Sequence, residues 1–462
     1  MKGMANMYLQ NKKHLHFIGI GGSGMYPMAQ ILHEKGYYIT GSDNNETDTL
    51  ARVRAMGIPV TLGQKAENIE GADLIVYSAA IMADNPELVA ARESGVPTVE
   101  RSVILGEITA HYSDALCVSG THGKTTTTSM LTQIMLMAGK DPTCVIGGKL
   151  ASIGGSGRAG KSEHMVCESC EFVDTFLKLH PDVAVILNID ADHLDYFKTM
   201  ANLIHSFHKF AQMATKCVIA NGDDPNTQIA VSGLEDKLIT FGSRERNDYY
   251  PKNIVHPGGV NTEFDLCYHG KTLTHIKMHV PGDHNILNAV AACAAAITAG
   301  VTPEECAAGI DSFGGAGRRF EVLAQIGGIT VADDYGHHPT EIEATLKAAR
   351  ALPFERVWAV HQPFTYSRTK MLMDDFARVL SHADKVVLSE IMGSREKNTD
   401  GVYTSQLAER IPGAVWFPEF PEIAAYVAEN ARPGDLILTL GCGDINKCAH
   451  MIVEKLKEKY EK

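Results

Sequence analysis

The chain has 462 residues, of which 45% are hydrophobic and 21% charged, an ordinary globular usage that excludes disorder, collagen-like repeats and disulfide miniproteins. At about 150 residues per domain, the length predicts two to four domains. Forty-two Lys and Arg against 55 Asp and Glu give a formal charge of -13, which excludes a general nucleic-acid or anionic-membrane surface and leaves any phosphate to be held locally. Ten cysteines without a regular framework fit a reducing cytoplasm. Cys167 and Cys170 form a CxxC with no second pair at zinc-ribbon spacing and read as packing. The polar start, residues 1–13, lacks the apolar core of a signal peptide, and no run of about 18 apolar residues is present for membrane insertion. The alanine-rich stretch 289–299 suits a buried helix.

In chain order, residues 15–20 are predicted to form a strand that ends in glycines, followed by a helix over 26–35. Strands over 37–41, 74–77 and 97–99 alternate with helices over 49–56 and 86–94, which implies a parallel sheet with crossover helices. Gly19, Gly21, Gly22, Ser23 and Gly24 make a GxGxxG turn directly after the first strand, and Asp43 follows about 20 residues on. Side-chain-free positions let backbone N–H groups approach a pyrophosphate at a helix N-terminus, and Asp43 could accept bonds from a ribose or base. The pattern fits NAD and a UDP-sugar equally. Ser78, at the end of the 74–77 strand, is placed either for a ligand or for a plain strand-to-helix turn.

A second strand, loop and helix begins at 115–119, so a new domain is expected near residue 110. Gly120, Thr121, His122, Gly123, Lys124 and Thr125 resemble a shortened P-loop, with Val118 where a full Walker A has glycine. Lys124 can neutralise β- and γ-phosphate oxygens, Thr125 can ligate Mg²⁺, and the glycines free N–H groups for phosphate. A helix is expected over 126–138. Glu168, after an apolar stretch, is the natural oxygen ligand for Mg²⁺. His193, with Asp190 and Asp192 after the predicted strand 183–187, is a less usual one, and Asp192 could instead cap the following helix. Strands over 216–220 and 238–241 extend this second sheet. The glycine-rich segment 313–317 then breaks the pattern before a third alternation: strand 329–332, helix 340–350, strand 357–360, helix 370–380, strand 385–388 and strand 436–440.

The ordered segments HFIGIGGSGM (16–25), SGTHGKTTT (119–127), CESCEF (167–172), NIDADHLDYF (188–197), NGDDPN (221–226), PGDHNILNAVAA (281–292), GRRFE (317–321), DDYGHHPTEI (333–342) and GCGDI (441–445) resemble the Mur ligase family over nearly the whole chain. The resemblance implies an α/β fold of three domains: a Rossmann-like UDP-substrate domain (1–110), a central P-loop ATPase domain (111–318) and a C-terminal Rossmann-like domain (319–462). It implies ATP and Mg²⁺ as cofactors. The substrates it implies are UDP-N-acetylmuramate and L-alanine, joined in cytoplasmic peptidoglycan precursor synthesis by a monomer or weak homodimer. Lys124 would contact phosphates together with Gly120 to Thr126, including Thr126. Thr125 and Glu168 would ligate the phosphate-bridging Mg²⁺ and His193 a second one. Asn285 and Asn288 match positions on the adenine side, Arg319 the one reaching the γ-phosphate, and Asp334 the ribose. Tyr335, His337 and Arg368 match residues near the amino acid and the muramoyl carboxylate.

Two departures stand out. Phe364 occupies a position where many members carry histidine, with His361 three residues before it, and Cys170 stands where many have Asp. Neither change is expected to touch the phosphate machinery, and both bear on the choice of amino acid, so a relative that adds a recycled peptide, or Ser or Gly, to the same sugar nucleotide is the alternative. DDYGHHP favours the alanine reading. A nicotinamide oxidoreductase would leave the second loop, Glu168 and Arg319 without a role, and a non-catalytic nucleotide-binding regulator would not need the intact set.

Overall fold

Short, almost wholly buried apolar runs build three sheets, as expected where helices cover both faces of parallel strands. A computed structural model describes residues 8–258, 260–394 and 396–460. The first seven residues of the polar start lie outside the described residues. The first sheet contains β1 (His14–Ile18), β2 (Tyr38–Asp43), β3 (Val60–Leu62), β4 (Leu74–Tyr77) and β5 (Thr98–Glu100) in the order 3-2-1-4-5. All its pairings are parallel. The order reverses between β1 and β4, so the loops after these strands leave the carboxyl edge side by side, where open α/β sheets hold ligands.

The second sheet has ten strands: β6 (Asp114–Ser119), β7 (Thr143–Leu150), β8 (Gly155–Arg158), β9 (His164–Glu168), β10 (Val183–Ile186), β11 (Cys217–Asn221), β12 (Leu238–Phe241), β13 (Tyr249–Gly258), β14 (Asn261–Tyr268) and β15 (Lys271–Met278). Its order, 15-14-13-12-11-10-6-9-7-8, puts β6 between β9 and β10, parallel to both. The segments that carry Lys124, Glu168 and the Asp190 to His193 turn therefore leave the same edge of neighbouring strands. The third sheet holds β16 (Glu321–Ile326), β17 (Ile329–Asp334), β18 (Arg356–His361), β19 (Lys385–Ser389), β20 (Val415–Phe417) and β21 (Asp435–Leu440), ordered 16-17-21-18-19-20. Not every pairing is parallel: among those described, β7 with β8 and β16 with β17 are antiparallel, and the two-residue link between β16 and β17 is too short for a crossover.

The chain divides into two compact units, one of Met1–Asn253, Phe264–Lys277 and Leu287–Phe313, the other of Ile254–Glu263, Met278–Ile286 and Gly314–Lys462. The first unit contains a core in which Leu15, Phe17 and Val76 of the first sheet share one cluster with Cys117, Met165 and Ile186 of the second. In the second unit, Val331, Trp358 and Ile437 face one layer of helices while Ala332, Ala359 and Leu438 face another.

Three sequence expectations shift in detail. The helix after the second glycine loop begins at Lys124 and runs to Met137, two residues earlier than expected. The helix expected over 370–380 is two pieces, Tyr366–Met371 and Met373–Leu380, joined at Leu372. Residues 289–298 of the alanine-rich stretch fall in the helix His284–Thr298, whose alanines are fully buried, and Ala299 lies just past its end. Among the described residues no helix is long and apolar enough to cross a membrane.

Candidate functional site

In the first sheet, the loop after β1 is folded by Asp43 at the end of β2. Its Oδ2 accepts the Gly21 N–H at 2.9 Å and its Oδ1 the Asn45 N–H at 3.1 Å. Asp43 thus shapes the loop as well as standing beside it. Ser78 organises the turn after β4: its carbonyl accepts from Ile81 N–H and its hydroxyl from Ala80 N–H at 3.2 Å.

The second glycine loop connects β6 to the helix Lys124–Met137. Gly123 is the N-cap residue with φ 85°, a left-handed backbone that favours glycine, and a Cβ there would lie 2.6 Å from Asn288 Oδ1. The N–H groups of the first helical turn have no carbonyl one turn back within the helix, and together with the macrodipole they make an anion site. Asn188, just after β10, clamps the loop: its carbonyl accepts from Thr121 N–H at 3.0 Å, its Oδ1 from His122 N–H at 2.8 Å, and its Nδ2 donates to His122 O at 3.0 Å. His122 Nε2 lies 3.2 Å from Asp190 Oδ2.

Lys124 Nζ donates to the carbonyls of Gly120 at 2.5 Å and Thr121 at 3.1 Å and meets both oxygens of Glu171 at 3.1 and 2.9 Å. Its side chain is 15% exposed and that of Glu171 1%. Burial alone would push the ammonium down; the charge of Glu171, with Cys170 and Glu168 behind it, outweighs burial and holds it above its ordinary value. Thr125 Oγ1 donates to Glu168 Oε1 at 3.0 Å, while Glu168 Oε2 accepts the Gly147 N–H at 2.6 Å. Hydroxyl and carboxylate oxygens thus stand together at the start of the helix. The threonine run is used within the helix too, since Thr128 donates to the Lys124 carbonyl at 2.8 Å. His193 is itself the N-cap of the short helix Leu194–Phe197, at φ 56°. The N-cap position thus falls to His193 and not to Asp192, whose Oδ1 accepts the His193 N–H at 2.8 Å. The His193 ring packs against Phe172 at 4.8 Å, with Nε2 3.5 Å from Asp192.

The second unit assembles its own set at the carboxyl end of β17. Asp334, 6% exposed, accepts from Phe320 N–H and Gly336 N–H, each at 2.8 Å, and from Thr345 Oγ1 at 3.2 Å. Burial raises its carboxyl above the ordinary value despite the opposing charge of Arg319. Arg319 and Arg318 stack on the Tyr335 ring at 5.1 and 5.0 Å. Arg318 is otherwise fixed, with Nε on Asp333 at 2.7 Å and its other nitrogens on the carbonyls of Gly441 and Gly443. Arg319 is thus the arginine of the pair without a carboxylate within hydrogen-bond reach among the described residues. His337 Nδ1 lies 3.3 Å from Glu341, and Arg368 sits in the helix Tyr366–Met371, capped by Thr365. Asn285 donates to the Pro281 carbonyl at 2.7 Å. His361 is fully buried in β18, with Nδ1 on Leu440 O at 3.0 Å and its ring stacked on Phe376.

Sequence reasoning passed over Glu171, Asn188 and Gly147. Glu171 and Asn188 fall inside the quoted segments 167–172 and 188–197, yet nothing in spacing separates a buried acid that holds a lysine from a solvated one.

Comparison with known proteins agrees in order along the chain. Residues 14–113 match "Mur ligase family, catalytic domain", 118–296 "Mur ligase middle domain" and 318–443 "Mur ligase, glutamate ligase domain". The chain is 44% identical to the UDP-N-acetylmuramate–L-alanine ligase of Agathobacter rectalis over 449 residues, covering 96% of this chain and 98% of that protein. With the enzyme of the same name from Caldanaerobacter subterraneus subsp. tengcongensis, identity is 43% over 456 residues, 97% and 99% of the two chains. Among solved structures, the UDP-N-acetylmuramate-alanine ligase of Thermotoga maritima superposes with a TM-score of 0.83 at 27% identity, covering 97% of this chain and 100% of that one. A murein peptide ligase from Psychrobacter arcticus shares the fold, with a TM-score of 0.73 at 23% identity and coverage of 96% and 98%.

Proposed function

The chain belongs to the Mur ligase family, and from that membership we propose that it joins L-alanine to the lactoyl carboxylate of UDP-N-acetylmuramate, with cleavage of ATP to ADP and phosphate. The observation that carries the catalytic reading is the pairing of Lys124 with Glu171 and of Thr125 with Glu168 at one helix N-terminus. That is a cation and an oxygen-ligand set side by side, where a triphosphate would lie.

A carboxylate resists attack by an amine because oxide is a very poor leaving group. Transfer of the γ-phosphoryl group to a carboxylate oxygen, with ADP leaving, converts that oxygen into part of a phosphate. The neutral amine of L-alanine then attacks the acyl carbon, a proton is lost from nitrogen, and phosphate departs from the tetrahedral intermediate as the amide forms. Lys124 and the first-turn N–H groups absorb the charge that develops on the β- and γ-oxygens, and Arg319 stabilises the transferring group. Asp334 suits the ribose hydroxyls, Asn285 and Asn288 the adenine edge, and Tyr335, His337 and Arg368 the amino acid and muramoyl carboxylate. Gly120 to Thr126 cradle the phosphates, while Gly19, Gly21, Gly22, Ser23, Gly24, Asp43 and Ser78 receive the sugar nucleotide.

The hydroxyl of Thr125 and the carboxylate of Glu168 are the hard oxygen donors that Mg²⁺ takes, with His193 for a second ion. Mg²⁺ held there would neutralise phosphate oxygens. We assign domains to residues 1–110, 111–318 and 319–462; the helix Arg101–Ala110 that ends the first sheet's segment supports the first division. The ten free thiols fit a cytoplasmic setting.

Phosphate release with UDP-N-acetylmuramate and a panel of L-Ala, L-Ser, Gly and tripeptide tests the reading. Release is expected to depend on both the sugar nucleotide and L-Ala; a preference for tripeptide would overturn it.

A further inference from the structure

The segments that follow β9 and β10 carry backbone that ordinary residues avoid. Val173 and Asp174, in the turn segment Phe172–Lys178 after Glu171, both lie in the left-handed region, at φ 55° and 57°. The short helix Leu194–Phe197 is bracketed by two more non-glycine residues of positive φ, His193 at 56° and Lys198 at 68°. Such backbone is costly for any residue with a Cβ, and most of all for a β-branched one. It persists only where surrounding contacts enforce it. Val173 is 43% exposed, so the packing of its own side chain does not.

The contacts that do are mutual. The Phe172 ring packs on the His193 ring at 4.8 Å, and Tyr196 Oη donates to Asp174 Oδ2 at 2.9 Å, so the two strained segments hold each other at two points. Asp174 is anchored on its other side. Its Oδ1 accepts from the hydroxyl of Ser206, a buried residue of the helix Met200–Met213. Two residues on, the Phe176 ring stacks on Phe210 at 4.8 Å and meets Phe207 edge-on at 5.1 Å, both from that same helix. The Cys170 carbonyl closes the turn, accepting from Thr175 Oγ1 at 2.8 Å and from Phe176 N–H at 3.0 Å. Asp174 is thus fixed to the core, whereas a helix of one turn has too few internal bonds to hold its own ends. Tyr196 is exposed, and its hydroxyl is what ties that turn to the anchored carboxylate.

We propose that Asp174 is a positioning residue for His193: through Tyr196 it holds the left-handed turn that keeps the imidazole against Phe172. The proposal rests on the reading above in which His193 serves a second Mg²⁺. Two acids of one segment then divide the work, Glu171 holding Lys124 directly and Asp174 holding His193 through Tyr196.

Titration of Mn²⁺ into the full chain, with UDP-N-acetylmuramate and the non-hydrolysable ATP analogue adenylyl imidodiphosphate present, tests it, free Mn²⁺ being read by electron paramagnetic resonance. The parent chain should bind two ions and His193→Ala one. Tyr196→Phe removes the hydroxyl alone and should keep both ions, one of them weakened about tenfold, the scale of one lost hydrogen bond to a carboxylate. Asp174→Asn should stay near the parent, because an amide can meet both hydroxyls and asparagine tolerates left-handed backbone. In the His193→Ala background, Tyr196→Phe should change nothing further, as expected of a residue that acts only through His193. Unchanged Mn²⁺ affinity in Tyr196→Phe would overturn the proposal. So would equal weakening of both ions, or a further loss in the double variant, either of which would make the Asp174 bond a general support of the fold. If the parent binds one ion, or His193→Ala still binds two, the second-ion reading itself fails, and the positioning role with it.

Discussion

Lys124 and Glu171 form a pair that is nearly closed to water, and replacing one partner therefore does two things at once. Lys124→Ala removes a preorganised cation from the phosphates, worth roughly 2.7 to 4 kcal/mol of barrier, so turnover should fall at least about 100-fold. It also strands a buried carboxylate, which should lower unfolding stability by on the order of 3 kcal/mol. The double variant Lys124→Met with Glu171→Gln separates the two effects: denaturant melts should recover much of the stability while phosphate release stays low. His361 gives the residue scale a pH dependence. Burial lowers its pKa from 6.5 to about 4. Between those values the unfolded chain binds more protons than the folded one, so stability is lost as pH falls from about 6.5 to about 4, by about 3 kcal/mol over the whole window. Urea midpoints measured across that range should fall less steeply with acid for His361→Gln. Lys124, Thr125 and Glu168 were legible in the sequence because the chemistry of a phosphate loop restricts residue type. Glu171 was not, since its meaning lies in burial and in a side chain 47 positions away.

At the scale of elements, the alternation of buried runs with amphipathic ones marked most strands of the parallel sheets, because a strand covered on both faces is apolar throughout. The edges were harder to see. β8, with sequence GSGR, and β13, six of whose ten residues are exposed, lack both periodicities and owe their pairing to neighbours. The helix Arg101–Ala110 shows the same limit in energetic form. Gly106 in its middle would ordinarily weaken it by roughly 0.5–1 kcal/mol relative to alanine. A Cβ there would sit only 2.1 Å from the carbonyl oxygen of Lys178, at the end of the turn segment Phe172–Lys178 that follows Glu171. Gly106→Ala should therefore destabilise, by about 1–3 kcal/mol as overpacked sites do, where helix propensity alone predicts a gain. Thermal melts decide between the two signs, and a gain in Tm would show that the helix can move off Lys178 freely.

For the whole molecule, two units with separate cores make a single two-state transition the wrong expectation. The chain carries two tryptophans, Trp358 and Trp416, and both belong to the second unit. Trp358 is buried, and its Nε1 donates to Asp435 at 3.0 Å, so its emission reports loss of that unit's packing, whereas far-ultraviolet circular dichroism follows helices in both. The two probes should give non-coincident unfolding curves. The first sheet, which receives the sugar nucleotide in the proposed function, lies wholly in the first unit. UDP-N-acetylmuramate at 100 times its Kd stabilises whatever binds it by about 2.7 kcal/mol. Added alone, it should shift the dichroism transition that tryptophan emission does not follow, and leave the emission midpoint where it was. Coincident curves that move together with ligand would instead mean that the two units unfold as one cooperative body, and that binding at the first sheet is felt across the chain.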